Sequence, residues 1–161
     1  MTEKEYNFCV TQFADNVYRF IFKNLGHKED AQDVVQTAFE KLWVNREHVE
    51  NHSSKAYLFT VAYHQMIDHI RKQKRITLKD EFKSDAQIAD KVHCNVKKIL
   101  DEALNKLNDI QRSLVLLKDY EGYTYNEIGK ITGLSESQVK VYLHRARLQL
   151  KTYLVRPENV I

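Results

Sequence analysis

Glycine and proline together supply five of the 161 residues, four Gly and one Pro, where an average chain of this length holds about twenty. Tight turns draw on both residues, so their scarcity leaves little room for hairpins, a sandwich or a barrel. Cysteine is nearly as scarce: Cys9 and Cys94 are too few and too far apart for a disulfide framework or a zinc site. No long apolar run exists, the longest being Leu114-Val115-Leu116-Leu117, against the ~20 residues a membrane span needs. The opening Met-Thr-Glu-Lys-Glu-Tyr-Asn has neither the basic nor the apolar part of a secretory signal. Nor is there a Gly-rich phosphate loop or a Ser-His-Asp arrangement. Together these absences predict a soluble, cytoplasmic, all-α protein that is not an enzyme, with no cofactor, no metal, no small-molecule substrate and no direct membrane insertion.

What is present is charge sorted by position. Net charge is only +3, yet residues 29–40 carry Glu29, Asp30, Asp33 and Glu40 with no base, while Arg71-Lys-Gln-Lys-Arg75 is a run of cations. Residues 137–156 add Lys140, Arg145, Arg147, Lys151 and Arg156 with no acid. One acidic and two basic patches point to separate surfaces for separate partners, although charge runs on helices are commonly solvated faces.

Apolar spacing is helical through most of the chain. Val35, Ala38, Phe39 and Leu42 recur at i, i+3, i+4 and i+7, leaving Asp33, Gln36, Thr37 and Glu40 off the stripe. After a polar stretch from Asn45 to Ser54, where Ser53 or Ser54 can cap, a helix is expected from about Lys55 to Lys74 on Phe59, Ala62, Tyr63, Met66, Ile67 and Ile70. Periodicity then lapses until Leu100, Ala103, Leu104 and Leu107. The expected organisation is two small helical domains, 1–76 and 97–161, joined by a polar linker over 77–96. In the second domain Asn108 caps a helix running to about Tyr120, which Gly122 closes in a left-handed conformation.

Thr124-x-x-Glu127 and, eleven residues on, Ser135-x-x-Gln138 read as two capping boxes with Gly133 between. Two short helices so joined have the outline of a helix-turn-helix, which an ordinary helical hairpin shares. The second helix weighs towards the former. Val139, Leu143, Ala146 and Leu150 form its buried stripe. Ser137, Lys140, Val141 and His144 lie opposite, with Arg145 and Arg147 at the margins. Lys and Arg near a helix N-terminus suit guanine edges and flanking phosphates in a major groove.

At this point the chain resembles the extracytoplasmic-function (ECF) group of bacterial RNA polymerase sigma factors. Glu29-Asp-Ala-Gln-Asp-Val-Val-Gln-Thr-Ala-Phe-Glu-Lys-Leu-Trp43 and Ala56-Tyr-Leu-Phe-Thr-Val-Ala-Tyr-His-Gln-Met-Ile-Asp-His-Ile-Arg71 are similar to that family's region two. Ala103-Leu-Asn-Lys-Leu107, Tyr120-Glu-Gly-Tyr-Thr-Tyr-Asn-Glu-Ile-Gly129 and Val139-Lys-Val-Tyr-Leu-His-Arg-Ala-Arg147 are similar to region four. The resemblance implies a promoter-specificity subunit with three surfaces. Asp33, Gln36, Thr37 and Glu40 would dock on core RNA polymerase. The loop from Asn45 to Ser54 and the helix after it would capture the melted minus-ten element, with Tyr57, Tyr63 and His64 on bases and Arg71, Lys72, Lys74 and Arg75 on phosphates. Tyr57 and Tyr63 can equally belong to the core. Ser137, Gln138, Lys140, Val141, His144, Arg145 and Arg147 would meet the minus-thirty-five element. The implied partners are core RNA polymerase, promoter DNA and an anti-sigma factor.

The chain departs from the family at four positions. His64 stands where many relatives have Asn, which alters the group available to a flipped base. Val141 replaces a small polar residue and favours an apolar contact such as a thymine methyl. Gln138 replaces a usual Thr, and Asn108 a common Pro, which suits a helix start equally well. His64 and Asp68, at i and i+4, supply two of the three ligands a metal site would need. Two other readings stay open: a free-standing helix-turn-helix regulator of duplex DNA, which leaves the acidic helix without a role, and a helical adaptor that binds protein only.

Overall fold

The computed structural model describes residues 1–80 and 96–155. Among these residues the only regular structure is helical, in seven α-helices: α1 Glu3–Leu25, α2 Lys28–Val44, α3 Ser54–Asp80, α4 Val96–Asn105, α5 Asp109–Val115, α6 Tyr125–Thr132 and α7 Glu136–Leu154. Of the linker expected over 77–96, residues 81–95 lie outside the described residues, and the chain is helical at both margins. The helix expected to stop near Lys74 thus continues to Asp80. Arg, Lys and Gln are good helix formers and contain no breaker, so a cationic run does not by itself end a helix.

Local chemistry sets the helix ends. At α1, Glu5 N–H donates to Thr2 Oγ1 (3.1 Å) and Thr2 N–H to the Glu5 carboxylate (2.6 Å), a capping box. Gly26, at φ 70°, closes the same helix. Asn108 and Gln111 make the reciprocal pair at α5. Beyond Val115 the backbone widens into a π-helical turn over Leu116–Tyr120 rather than continuing as an α-helix, with Glu121 N–H bonded to Leu116 O at 3.1 Å. It ends before Gly122, which takes φ 78°.

Helices α1, α2 and α3 pack on one another around Phe20, Ile21, Leu42, Leu58, Phe59 and Met66. In the second half α7 packs against α4, α5 and α6 around Leu114, Leu117, Ile128, Ile131 and Leu143. The two cores are continuous, because α6 lies on α3 and α5 on α1. The junction is partly aromatic: Phe59 stands between Phe20 (ring centroids 5.4 Å) and Tyr123 (5.5 Å).

The rest of the junction is polar and turns on Arg112, only 8 % exposed. Its guanidinium donates to Leu104 O (3.1 Å), Leu107 O (2.9 Å), Asp109 Oδ1 (3.2 Å) and, across the junction, Asn24 O (3.1 Å). It thereby serves carbonyls at the C-terminal ends of α4 and α1, which have no partner within their helices and favour a cation. Ser113 Oγ donates to Asn24 Oδ1 at 3.0 Å. Lys23–Asp101 (3.2 Å), Lys74–Asp109 (3.2 Å) and Asn16 Nδ2 to Glu121 Oε1 (3.4 Å) complete the contact at its exposed edges.

Candidate polymerase and nucleic-acid interfaces

The pair α6–α7 is built as its capping residues predict. Glu127 N–H donates to Thr124 Oγ1 (3.2 Å) and Thr124 N–H to Glu127 Oε1 (2.8 Å). That bonding holds the Glu127 carboxyl below its usual range. Gln138 N–H donates to Ser135 Oγ (3.1 Å) and Ser135 N–H to Gln138 Oε1 (3.0 Å). Two glycines permit the sharp connection. Gly133 sits at φ 84°, and a Cβ on Gly129 would lie 2.8 Å from Leu134 O. That close approach was not read from the sequence; a glycine inside a helix before a turn was the available signal.

Val139, Leu143 and Ala146 are buried beneath α7 as the periodicity requires, and Leu150 is half-buried. Ser137, Lys140, Val141, His144 and Arg145 are exposed together on the outer face, and Leu148 extends it. Lys140 stays near Glu136 (3.9 Å) and over the Tyr125 ring (5.6 Å), so its ammonium lies at the joint of the two helices. Gln138 shows a restricted role: its carbonyl is engaged in the cap, leaving the amide to face outward. Arg147 is drawn away from the face by Asp119, to which it donates at 2.8 Å, and that pairing strengthens its hold on its proton.

On α2, Asp33, Gln36 and Glu40 are exposed and Thr37 half-exposed, over a buried row of Ala31, Val34, Ala38 and Leu42. Gln36 donates to Glu40 Oε1 at 3.1 Å. Asp33 and Thr37 share a shallow recess with Gln65, Asp68, His69 and Lys72 of α3, so the face carries both signs of charge where the two helices meet.

The start of α3 and the loop before it border an open surface recess of about 420 Å³ lined by Asn45, His48, Val49, Ser53, Ala56, Tyr57 and Thr60. Tyr57 is half-exposed there, its hydroxyl accepting from Asn45 Nδ2 at 3.1 Å. Asn45, His48 and Thr60 were not singled out individually from the sequence; a polar loop beside an aromatic helix start was their only signal. His64, Arg71, Lys72, Lys74 and Arg75 are exposed further along α3. Arg71 pairs with Asp68 (3.4 Å) and Lys74 with Asp109.

Tyr63 requires a correction. It is 5 % exposed, and no base can stack on its ring in this conformation. Burial, and after it the charge of Asp109 from the other half, push its hydroxyl pKa up. Among the described residues no three His, Cys, Asp or Glu side chains are placed to share a metal ion, and no helix is long and apolar enough to cross a membrane.

A capped helix-turn-helix in one half, with a polar-aromatic recess and a basic helix in the other, defines a two-domain helical protein. Comparison with known proteins gives the particular family. Residues 9–76 match the family model of Sigma-70 region 2, and residues 97–150 that of Sigma-70 region 4. The chain is 34 % identical over 142 residues to the ECF RNA polymerase sigma factor SigF of Caulobacter vibrioides, covering 87 % of this chain and 79 % of that one. It is 29 % identical over 154 residues to the RNA polymerase sigma factor YlaC of Bacillus subtilis, covering 90 % and 89 %. In fold it is similar to the sigma factor RpoE of Bartonella quintana, crystallised in complex with the anti-sigma factor NepR (TM-score 0.79, 24 % identity, 94 % of this chain and 97 % of that one). The chain belongs to the ECF sigma factors of bacterial RNA polymerase. Sigma factors are non-catalytic initiation factors.

Proposed function

We propose that this sigma factor divides its work between residues 1–76 and 97–161, with 77–96 as the connection. The observation that carries the reading is the occurrence of both regions, in order, in one chain. Asp33, Gln36, Thr37 and Glu40 form the docking face for core polymerase, where carboxylates pair with basic side chains and Gln36 offers both donor and acceptor. Ser137, Lys140, Val141, His144 and Arg145 of α7 enter the major groove of the minus-thirty-five element, with the Gln138 amide beside them and Arg147 fixed by Asp119. The recess at Tyr57, with His64, takes bases of the melted minus-ten element, and Arg71, Lys72, Lys74 and Arg75 hold its phosphates. Stacking on an aromatic offsets the few kcal/mol that each unstacked base costs.

The polymerase performs the chemistry and this chain catalyses nothing. It works in the cytoplasm, where an anti-sigma factor holds it inactive, as NepR accompanies RpoE. In vitro transcription with core polymerase on fragmented genomic DNA of the source organism, with sequencing of RNA starts, tests the reading. Discrete starts that depend on this protein and share two upstream elements are expected. Specific duplex binding without polymerase, and no starts, would replace it by a free-standing regulator.

A further inference from the structure

A helix about 10–12 Å across fills a major groove about 12 Å wide, so its leading face meets bases and its flanks meet the phosphate walls. On α7, Lys140 and Arg147 are seven residues apart, nearly two turns, and so share one flank, about 10 Å from each other along the axis. That flank adjoins α6 and the π-helical turn. Lys118 of the turn and Lys140 hold their ammonium groups 4.8 and 5.6 Å from the centroid of the Tyr125 ring. One acid enters this group of cations from the turn: Asp119 accepts from Arg147 Nη2 at 2.8 Å, with the Tyr125 hydroxyl adding a smaller share. Among the described residues Arg147 is the one cation of α7 held by a carboxylate of another element. Lys140 has only Glu136 of its own helix, at 3.9 Å, and Arg145 is exposed without an ion pair.

We propose that Asp119 is an electrostatic restraint on duplex binding by the recognition helix: it withholds Arg147 from the phosphate strand along that flank and places a negative charge beside the strand. This rests on the reading of α7 as the helix that enters the minus-thirty-five element. Each cation that neutralises a phosphate releases counterions and adds affinity for duplex of any sequence. An Arg–Asp pair has no net charge and adds none. The argument does not depend on the strength of the pair, which is small in water for two groups each 43 % exposed. Whether the pair is intact or parted, the carboxylate stays on the same flank and repels the phosphates that Lys118, Lys140 and Arg147 would otherwise attract together. The affinity that remains rests more on base edges and less on a backbone contact that carries no sequence information.

The test uses the full chain assembled with core polymerase of the source bacterium. The probes are a promoter duplex located by its RNA start and the same duplex with the upstream element scrambled, each titrated between about 50 and 200 mM salt. Asp119→Asn, nearly the same in shape, should tighten binding to both duplexes, about fivefold near 0.15 M salt, and steepen the slope of log affinity against log salt by about 0.9. Asp119→Ala should do the same, so the outcome does not hang on one variant. Arg147→Ala should cancel the gain in the Asn background and cost the parent protein less. Unchanged or weaker binding by both Asp119 variants, folded by circular dichroism, overturns the proposal. So does an Arg147→Ala loss as large in the parent as in the Asn background, because Arg147 would then already be on a phosphate. Lys140→Ala and Arg145→Ala separate the two levels. If they weaken binding while the Asp119 variants change nothing, only the restraint is refuted; if they too change nothing, α7 is not the groove reader and the restraint falls with that reading.

Discussion

Replacing Arg112 by Ala tests whether one guanidinium holds the junction together. The side chain donates to three carbonyls, Leu104 O, Leu107 O and Asn24 O, and to the Asp109 carboxylate. Truncation strands Leu107 O and Asn24 O, while Leu104 O keeps Leu107 N–H (3.1 Å) and Asp109 keeps Lys74 (3.2 Å). A buried polar group without a partner costs about 1–3 kcal/mol. Two such carbonyls, less the part that water entering the vacated space recovers, give a total of about 2–4 kcal/mol. For a chain of this size each kcal/mol lowers Tm by about 2–4 °C, which predicts a fall of roughly 10 °C. Urea unfolding followed by circular dichroism measures the free energy, and a thermal scan the midpoint. Arg112→Lys should recover only part of the loss, because an ammonium cannot reach acceptors on three elements at once. Arg112→Met, which keeps volume and restores no donor, should behave like the Ala variant. A loss below about 1 kcal/mol for Arg112→Ala would refute the reasoning, because each stranded carbonyl would then have found another partner.

Other expectations concern separate surfaces. Lys140→Ala or Arg145→Ala should weaken binding to the upstream element by about 1–3 kcal/mol if a base edge is lost, or reduce the salt slope by about 1 if a phosphate contact is lost, with core binding unchanged. Promoter activity equal to wild type would remove these residues from the groove face. Asp33→Lys with Glu40→Lys should reduce affinity for core polymerase at least tenfold, read by competition with the wild-type protein; full affinity would dismiss α2 as the docking helix. Gly129→Ala should destabilise the helix-turn-helix by about 1–3 kcal/mol, since its Cβ would meet Leu134 O at 2.8 Å, and a neutral or stabilising result would mean that the turn can give way. Glu121→Gln should remove one pH-dependent contribution to the junction. Burial raises the Glu121 pKa, so its favourable term is complete below the unfolded value of 4.5 and is lost as pH rises through the raised one. Near neutral pH the Gln variant should be the more stable, and the wild-type–variant difference should shrink on acidification; no pH dependence of that difference would contradict the burial argument.

What was legible in the sequence was what neighbouring residues decide among themselves. Capping boxes at Asn108, Thr124 and Ser135 need only residues three apart, and the buried stripe Val139–Leu143–Ala146 needs only the helical period. The box at Thr2 and Glu5 is equally local, two residues three apart at the start of the first helix. Tyr63 shows the other side. Its ring is amphipathic, and its position on α3 suits either base stacking or a core. What decides between them is the packing of a second domain whose Asp109 and Tyr123 lie roughly fifty to sixty residues away. Arg112 was likewise one cation among many until Asn24 O and two helix ends were brought to it. Periodicity reports which face of a helix is apolar; it does not report what covers that face.

The π-helical turn at Leu116–Tyr120 carries a consequence for length variation. A wider turn admits one residue more than an α-helix would, and each residue of an α-helix advances the chain by about 100°. Glu121 and Tyr123, which follow the turn, meet Asn16 (3.4 Å) and the Phe59 ring (5.5 Å) of the first half. Deleting one residue there would let the helix run regularly into its end and turn both side chains aside, while the capping box at Thr124 and the fold of α6 and α7 survived intact.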